Sequence, residues 1–203
     1  MHGTQETPQL VLCLVKTALN SRAGPIVVSL ELPEMAKNPT SPIWKGTDGR
    51  TSVAMQQLVK QLQDMAAVNA RLSLDFHAEC LMTEPPKDYD SFVNKCYGDN
   101  LLKSIDKGYL IALSGNNHAQ RTRKDFMPTG GYLPLSVRTV EIVAANDGNV
   151  YGCYGPDGCH QYVMQGLHEY NDIRGFAPDT KHDYDYIYVL NSMTASPPAN
   201  AAK

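Results

Sequence analysis

Two short apolar runs, Pro25-Ile26-Val27-Val28-Ser29-Leu30-Glu31 and Tyr109-Leu110-Ile111-Ala112-Leu113, constrain this chain more than any other feature. Each is short for a buried helix and is stopped by a turn-former, Pro33 in one case and Gly115 in the other. Continuous rather than alternating apolarity predicts strands buried on both faces, the pattern of a parallel sheet. Helical periodicity surrounds them. Leu10, Val11, Leu14, Val15 and Ala18 fall on one face of a first helix running to about residue 20, with Thr7 as its expected cap and Pro8 in its first turn. Val53, Met55, Leu58, Val59, Leu62 and Met65 define a second helix from residue 52. Leu72, Leu74 and Phe76 alternate as in a strand, and residues 92 to 105 read as a third helix weakened by Gly98. Strands alternating with helices predict an α/β fold with a mostly parallel or mixed central sheet and helices on both faces. Residues 137 to 145 and 184 to 190 are expected to add later strands, the second with Tyr184, Tyr186 and Tyr188 on one face.

A chain of 203 residues suffices for one such domain. It is expected over residues 1–191, with the small, polar, Pro-containing residues 192–203 as a disordered tail. A net charge of -3 and the lack of a basic block interleaved with aromatics argue against nucleic acid, and the Arg121 to Lys124 cluster reads as a solvated loop. No run is long enough for a transmembrane helix and no signal peptide is recognisable, so the expected chain is soluble. It would be cytoplasmic, or periplasmic if a targeting segment lies upstream. Five cysteines define no disulfide framework. Cys13, inside a helical pattern, is expected to be a small buried hydrophobe. Cys80 and Cys96 lie in no motif. Cys153 and Cys159, in a Gly-rich turn followed by His160, are read as the only plausible linked pair, with loop thiols or a zinc site as alternatives.

In parallel sheets the ligand site lies beyond the carboxyl ends of the strands. Glu31 ends one run and His118 follows the other in Ser114-Gly115-Asn116-Asn117-His118, so one cleft is expected to contain both. His2 precedes the first helix in a Gly-containing turn and would join them. Each residue also has a plain structural reading: Glu31 as a cap on a loop amide, His118 as a loop histidine bonded to backbone, His2 as a terminal residue. Asp48 is read as a turn and helix cap paired with Arg50, whose guanidinium suits an anion or a developing oxyanion. Trp44 is either a core anchor or a cleft wall. His77, His168 and His182 are expected on the surface.

With these residues in hand, the chain resembles the ChaN-like/Tiki/TraB superfamily, which includes erythromycin-esterase-like proteins. The family's opening motif, Gly-Glu-x-His with a following Gly-Thr-x-Glu-x-Pro-like turn, matches in its second half at His2-Gly3-Thr4, Glu6 and Pro8. A Leu-Glu-x-Pro strand end matches Leu30-Glu31-Leu32-Pro33. Trp44, Asp48-Gly49-Arg50, Ser52 and Ala54-Met55 match a further motif, Gly115-Asn116-Asn117-His118 the second Gly-x-x-His, and Met127-Pro128 with Gly131-Tyr132-Leu133 a downstream one. The match covers roughly residues 1 to 160. The family's Gly-Glu and first strand would lie upstream of Met1, and a chain extended upstream is expected to be more stable and less prone to associate. Where many bacterial relatives carry Arg-Asp in the third helix, this chain has Val93-Asn94.

The resemblance implies a hydrolase whose cleft collects His2, Glu31, Arg50 and His118 and acts on an ester or peptide. Glu31 or His118 would be the base, and Arg50, or a divalent metal held partly by His2 and His118, would stabilise the oxyanion. Trp44 and Asn117 would contact substrate. The ChaN branch implies a different class, a haem- or iron-binding protein, and a catalytically inactive relative kept for interactions is a third.

Overall fold

The computed structural model describes residues 2–80, 84, 86–153, 158–181 and 183–202. The fold is α/β, and among the described residues the strands are divided among three small sheets. The parallel sheet has the order β2-β1-β3, with β1 Ile26–Leu30 flanked by β2 Leu72–Phe76 and β3 Tyr109–Leu113. All five residues of β1 are buried, as a strand paired on both sides and covered on both faces requires.

Alternation along the strands sorts the two faces. Ile26, Val28 and Leu30 join Leu72, Phe76 and Leu113 in the main core. That face is covered by α1 Glu6–Ser21, through Val11, Val15 and Ala18, and by α2 Val53–Val68, through Met55, Leu58, Val59 and Leu62. On the other face, Asp75 accepts a 2.7 Å hydrogen bond from Ser104 of α3 Tyr89–Ile105. Helices therefore cover this sheet on both sides. Ser52 caps α2 by accepting from the Met55 N–H, and Asp88 caps α3 by accepting from the Ser91 N–H.

The short helices α4 Asn116–Ala119 and α5 Thr129–Tyr132 follow β3. In the second sheet β4 Val140–Ala144 runs parallel to β8 Tyr186–Leu190, and β7 Gly175–Pro178 pairs antiparallel on the far side of β8. Val143, Ala145, Ile187 and Val189 form a separate small core there. A third sheet is the hairpin of β5 Gly148–Cys153 and β6 Cys159–Met164.

Several expectations are corrected. Residues 192–202 are packed against the domain, not a loose tail: Met193 is 2% exposed, the Val53 N–H donates to Pro197 O, and the Gln5 N–H donates to Thr194 O. Extended backbone that finds donors on α1 and α2 orders without a periodic apolar pattern. Helix α1 begins at Glu6, with Gln5 rather than Thr7 at the cap position. Strand β3 is only partly buried, because it is an edge strand of its sheet. Arg121 is not a solvated loop residue: it pairs with Asp185 at 2.8 Å and donates to Gly130 O at 2.7 Å and Leu133 O at 3.1 Å. Cys13 is exposed on the outer side of α1. Cys80 and Cys96 form a disulfide, so Cys153–Cys159 is not the sole linked pair. The Cys80–Cys96 bond ties the segment after β2 to α3, a contact made by tertiary folding that carries no local sequence signal.

Candidate functional site

Glu31 stands one residue beyond β1 and is 3% exposed. Its backbone N–H continues the ladder to Leu113 O at 3.0 Å, which turns its side chain toward the end of β3. There Oε2 accepts a 2.6 Å hydrogen bond from the Gly115 N–H. Three further groups surround the same carboxylate. His2 Nε2 is 3.5 Å from Oε2, Arg50 Nη1 is 3.4 Å from Oε1, and His118 Nε2 is 3.8 Å from Oε1. Four residues from distant parts of the sequence thus meet at the carboxyl end of the parallel sheet, as expected of Glu31, His118 and His2.

Two turns place the cations and imidazoles. The segments His2-Gly3 and Asp48-Gly49-Arg50 approach each other backbone to backbone, since a Cβ on Gly49 would lie 2.7 Å from the Gly3 nitrogen. On Gly3, a Cβ would strike the Tyr151 carbonyl of β5. Asp48 accepts from the N–H groups of Arg50 and Thr51, capping the 3-10 turn Gly49–Thr51, and its Oδ2 lies 2.8 Å from Arg50 Nη2. Arg50 therefore bridges Asp48 and Glu31 while remaining 42% exposed, with its outward edge toward solvent.

His118 sits on α4, 25% exposed, with Nδ1 2.9 Å from Asn94 Oδ1. Asn94 is wholly buried on α3, and its Oδ1 also accepts from the Thr129 N–H at 2.9 Å. Tyr97, one turn further along α3, packs its ring 5.2 Å from that of His118 and 5.6 Å from that of His77.

The electrostatics follow from this packing. Burial by itself would raise the Glu31 carboxyl, but the contact with His2, the imidazoles of His2 and His118 and the Gly115 N–H outweigh it and hold the group well below the usual carboxylate range. Glu31 is therefore an anion at neutral pH. Burial pushes His2 down from the ordinary histidine value despite the neighbouring carboxylate, and its ring nitrogens are buried without a well-formed hydrogen bond. Arg50 is pushed up against burial by Asp48 and Glu31. Burial and the Glu31 charge push the Tyr97 phenol up to about 12.

His77 corrects the expectation of a surface residue. It is 1% exposed, with Nδ1 3.0 Å from Ser29 Oγ and Nε2 2.8 Å from Ser114 Oγ, and burial lowers its pKa to about 4. Its place directly after β2 was the available signal, because Glu31 and Ser114 hold the corresponding place after β1 and β3. His168 is exposed, and His182 lies outside the described residues. Trp44 is 4% exposed in the main core, its Nε1–H donating to Asn38 O at 3.1 Å, so it anchors the core. Asn117 is exposed on α4, whereas the neighbouring Asn116 contacts Glu141 and Tyr184. Tyr97 and Thr129 were not named from the sequence; Asn94 was noted only where relatives carry Arg-Asp, and His77 only as a surface residue.

Among the described residues no group of three or more His, Cys, Asp and Glu side chains is arranged to hold a metal ion.

No family profile matches this chain, and no curated protein matches it. Among solved structures it is similar to the crystal structure of a protein from Bacillus cereus, with a TM-score of 0.65 at 9% identity over 98% of this chain and 88% of that one. At that identity the likeness is one of fold.

Proposed function

We propose that this chain is a hydrolase of the ester or peptide type, with His118 as the base, Glu31 as a fixed anion beside it and Arg50 as the oxyanion partner. The observation that carries the reading is the approach of His118 Nε2 to within 3.8 Å of Glu31 Oε1, with Arg50 Nη1 3.4 Å from the same oxygen. A water in the mouth of that gap would donate one hydrogen to each acceptor, leaving a lone pair for attack on a carbonyl carbon. As the C–O bond forms, the water's proton passes to Nε2, and the carbonyl oxygen becomes an oxyanion against the outer edge of Arg50. The imidazolium then protonates the leaving alcohol or amine as its bond to carbon breaks. Glu31 stabilises the imidazolium without itself taking the proton, because its neighbours make it too weak a base. This divides the two roles that sequence left shared between Glu31 and His118.

The motif resemblance to erythromycin-esterase-like proteins supports the same class of reaction. Haem needs a broad apolar face around an axial ligand. Beside Glu31 stands instead the partly exposed Asp48–Arg50 ion pair.

The test is a panel of nitrophenyl esters and chromogenic peptides, run with the native protein and Glu31→Gln, each with and without chelator. Turnover that survives chelation and falls in Glu31→Gln supports the reading. Turnover that requires added zinc or manganese would replace Arg50 by a metal, and no turnover on any substrate together with a Soret band on adding haem would replace the hydrolase by a binding protein.

A further inference from the structure

We propose that Asn94 is a positioning residue that locks His118 in the Nδ1–H tautomer and so turns an unprotonated Nε2 toward the cleft; the catalytic meaning of this rests on the hydrolytic reading above. Obligatory donors fix the assignment. A backbone N–H can only donate, so the Asn94 side-chain atom 2.9 Å from the Thr129 nitrogen is the amide oxygen. The other end of the amide agrees, because Nδ2 donates to the Asp90 carbonyl at 2.8 Å. The amide orientation is thus fixed at both ends. The same oxygen lies 2.9 Å from His118 Nδ1 and has no hydrogen to offer, so the hydrogen in that contact belongs to Nδ1. A neutral imidazole carries one ring proton. Nε2 is left with its lone pair.

That lone pair faces Glu31 Oε1 at 3.8 Å, an ionised oxygen. Two acceptors confronting each other across this distance are satisfied by a bridging donor, which is what a nucleophilic water supplies. Asn94 itself is wholly buried, so no solvent competes for its oxygen. Thr129 Oγ1 lies 3.1 Å from the side-chain oxygen and 3.1 Å from the backbone oxygen of Asn94, holding α5 against α3 around the lock. An amide at this position has a further consequence. A carboxylate would hold the same tautomer but would also stabilise the imidazolium, whereas the neutral amide orients the ring without charging it. The titratable and charged groups around the ring include Glu31 beyond β1, Tyr97 on α3, His77 beyond β2 across Tyr97 and, on the far side of Glu31, His2 and Arg50.

The test reads the ring nitrogens directly by long-range proton–nitrogen correlation NMR on histidine-labelled native protein near pH 8, with His118→Ala to assign the His118 signals. The expected result is a pyrrole-type Nδ1 and a pyridine-type Nε2. The reverse pattern, or the averaged pattern of two exchanging tautomers, would overturn the proposal. In Asn94→Asp the tautomer should persist while the imidazolium survives to higher pH than in the native protein. The acidic limb of the pH–rate profile should then move up by about one pH unit, a tenfold loss of rate at a fixed pH on that limb. An unmoved limb in a folded Asn94→Asp protein would show that the residue has no electrical access to His118 and would also overturn the proposal. The NMR result requires no turnover. A locked tautomer in a protein inactive on every substrate would therefore sink the hydrolase while leaving the role of Asn94 intact.

Discussion

The buried histidine beyond β2 makes the stability of this protein depend on pH in a defined window. His77 is 1% exposed and bonded through both ring nitrogens to Ser29 and Ser114, and burial lowers its pKa to about 4 from 6.5. In the unfolded chain the ring takes up a proton below about pH 6.5, whereas in the folded protein it stays neutral until about pH 4. Between these values the unfolded state binds more protons, so stability falls as pH falls, and above the window this group contributes no slope. At 1.36 kcal/mol per unit, the His77 share of the loss between pH 7 and pH 4.5 is about 2 kcal/mol. The assay is urea denaturation of native protein and His77→Gln at half-unit steps from pH 7.5 to 4.5. Glutamine donates and accepts but does not titrate, so subtraction removes the contributions of Glu31 and His2. The gap between the two proteins should shrink, or change sign in favour of His77→Gln, by about 2 kcal/mol on acidification. Parallel curves across the whole range would refute the burial argument for His77.

Other consequences concern packing and crosslinks. Gly98→Ala would set a Cβ 2.9 Å from Tyr132 Cβ where α3 meets α5, and the overpacking cost of about 1–3 kcal/mol should exceed the helix-propensity gain, lowering the melting temperature. Replacing Cys80 and Cys96 together by serine opens a loop of sequence separation 16 and should cost about 3 kcal/mol in chemical denaturation, with no change expected if the bridge is dispensable. Met193→Ala, in the segment expected to be disordered, should destabilise by about 2–5 kcal/mol, since the side chain is 2% exposed. A neutral result there would mean that residues 192–202 dock without contributing to stability.

The parts of the fold legible in sequence are those with local periodicity. The apolar run ending at Leu30 became the fully buried β1, and the spacing of Met55, Leu58, Val59 and Leu62 became the inward stripe of α2. Glu31, Arg50 and His118 were visible because strand ends and turns advertise themselves through Pro33, Gly49 and Gly115. The missed pieces depend on contacts without period. Nothing local distinguishes Asn94, which matters because a backbone N–H of α5 and a ring of α4 converge on its oxygen. His77 was expected on the surface because sequence offered it no partner, yet its ring meets Ser29 and Ser114 at the sheet end. Gly98, read as a weak point of the third helix, lies inside α3 where the Tyr132 side chain approaches the helix backbone, a contact that sequence does not show. Residues 192–202 lack a hydrophobic pattern but carry the backbone acceptors that Gln5 and Val53 require.

The central claim is that His118 takes a proton from water beside Glu31. The most direct measurement is kcat/KM of native protein and His118→Ala on the best substrate of the ester and peptide panel, with melting temperatures recorded on the same samples. His118 is 25% exposed and outside the main core, so the variant should melt within a few degrees of the native protein. Its kcat/KM should fall at least about a hundredfold, the lower range for losing a general base. Undiminished kcat/KM in a folded His118→Ala protein would contradict the account.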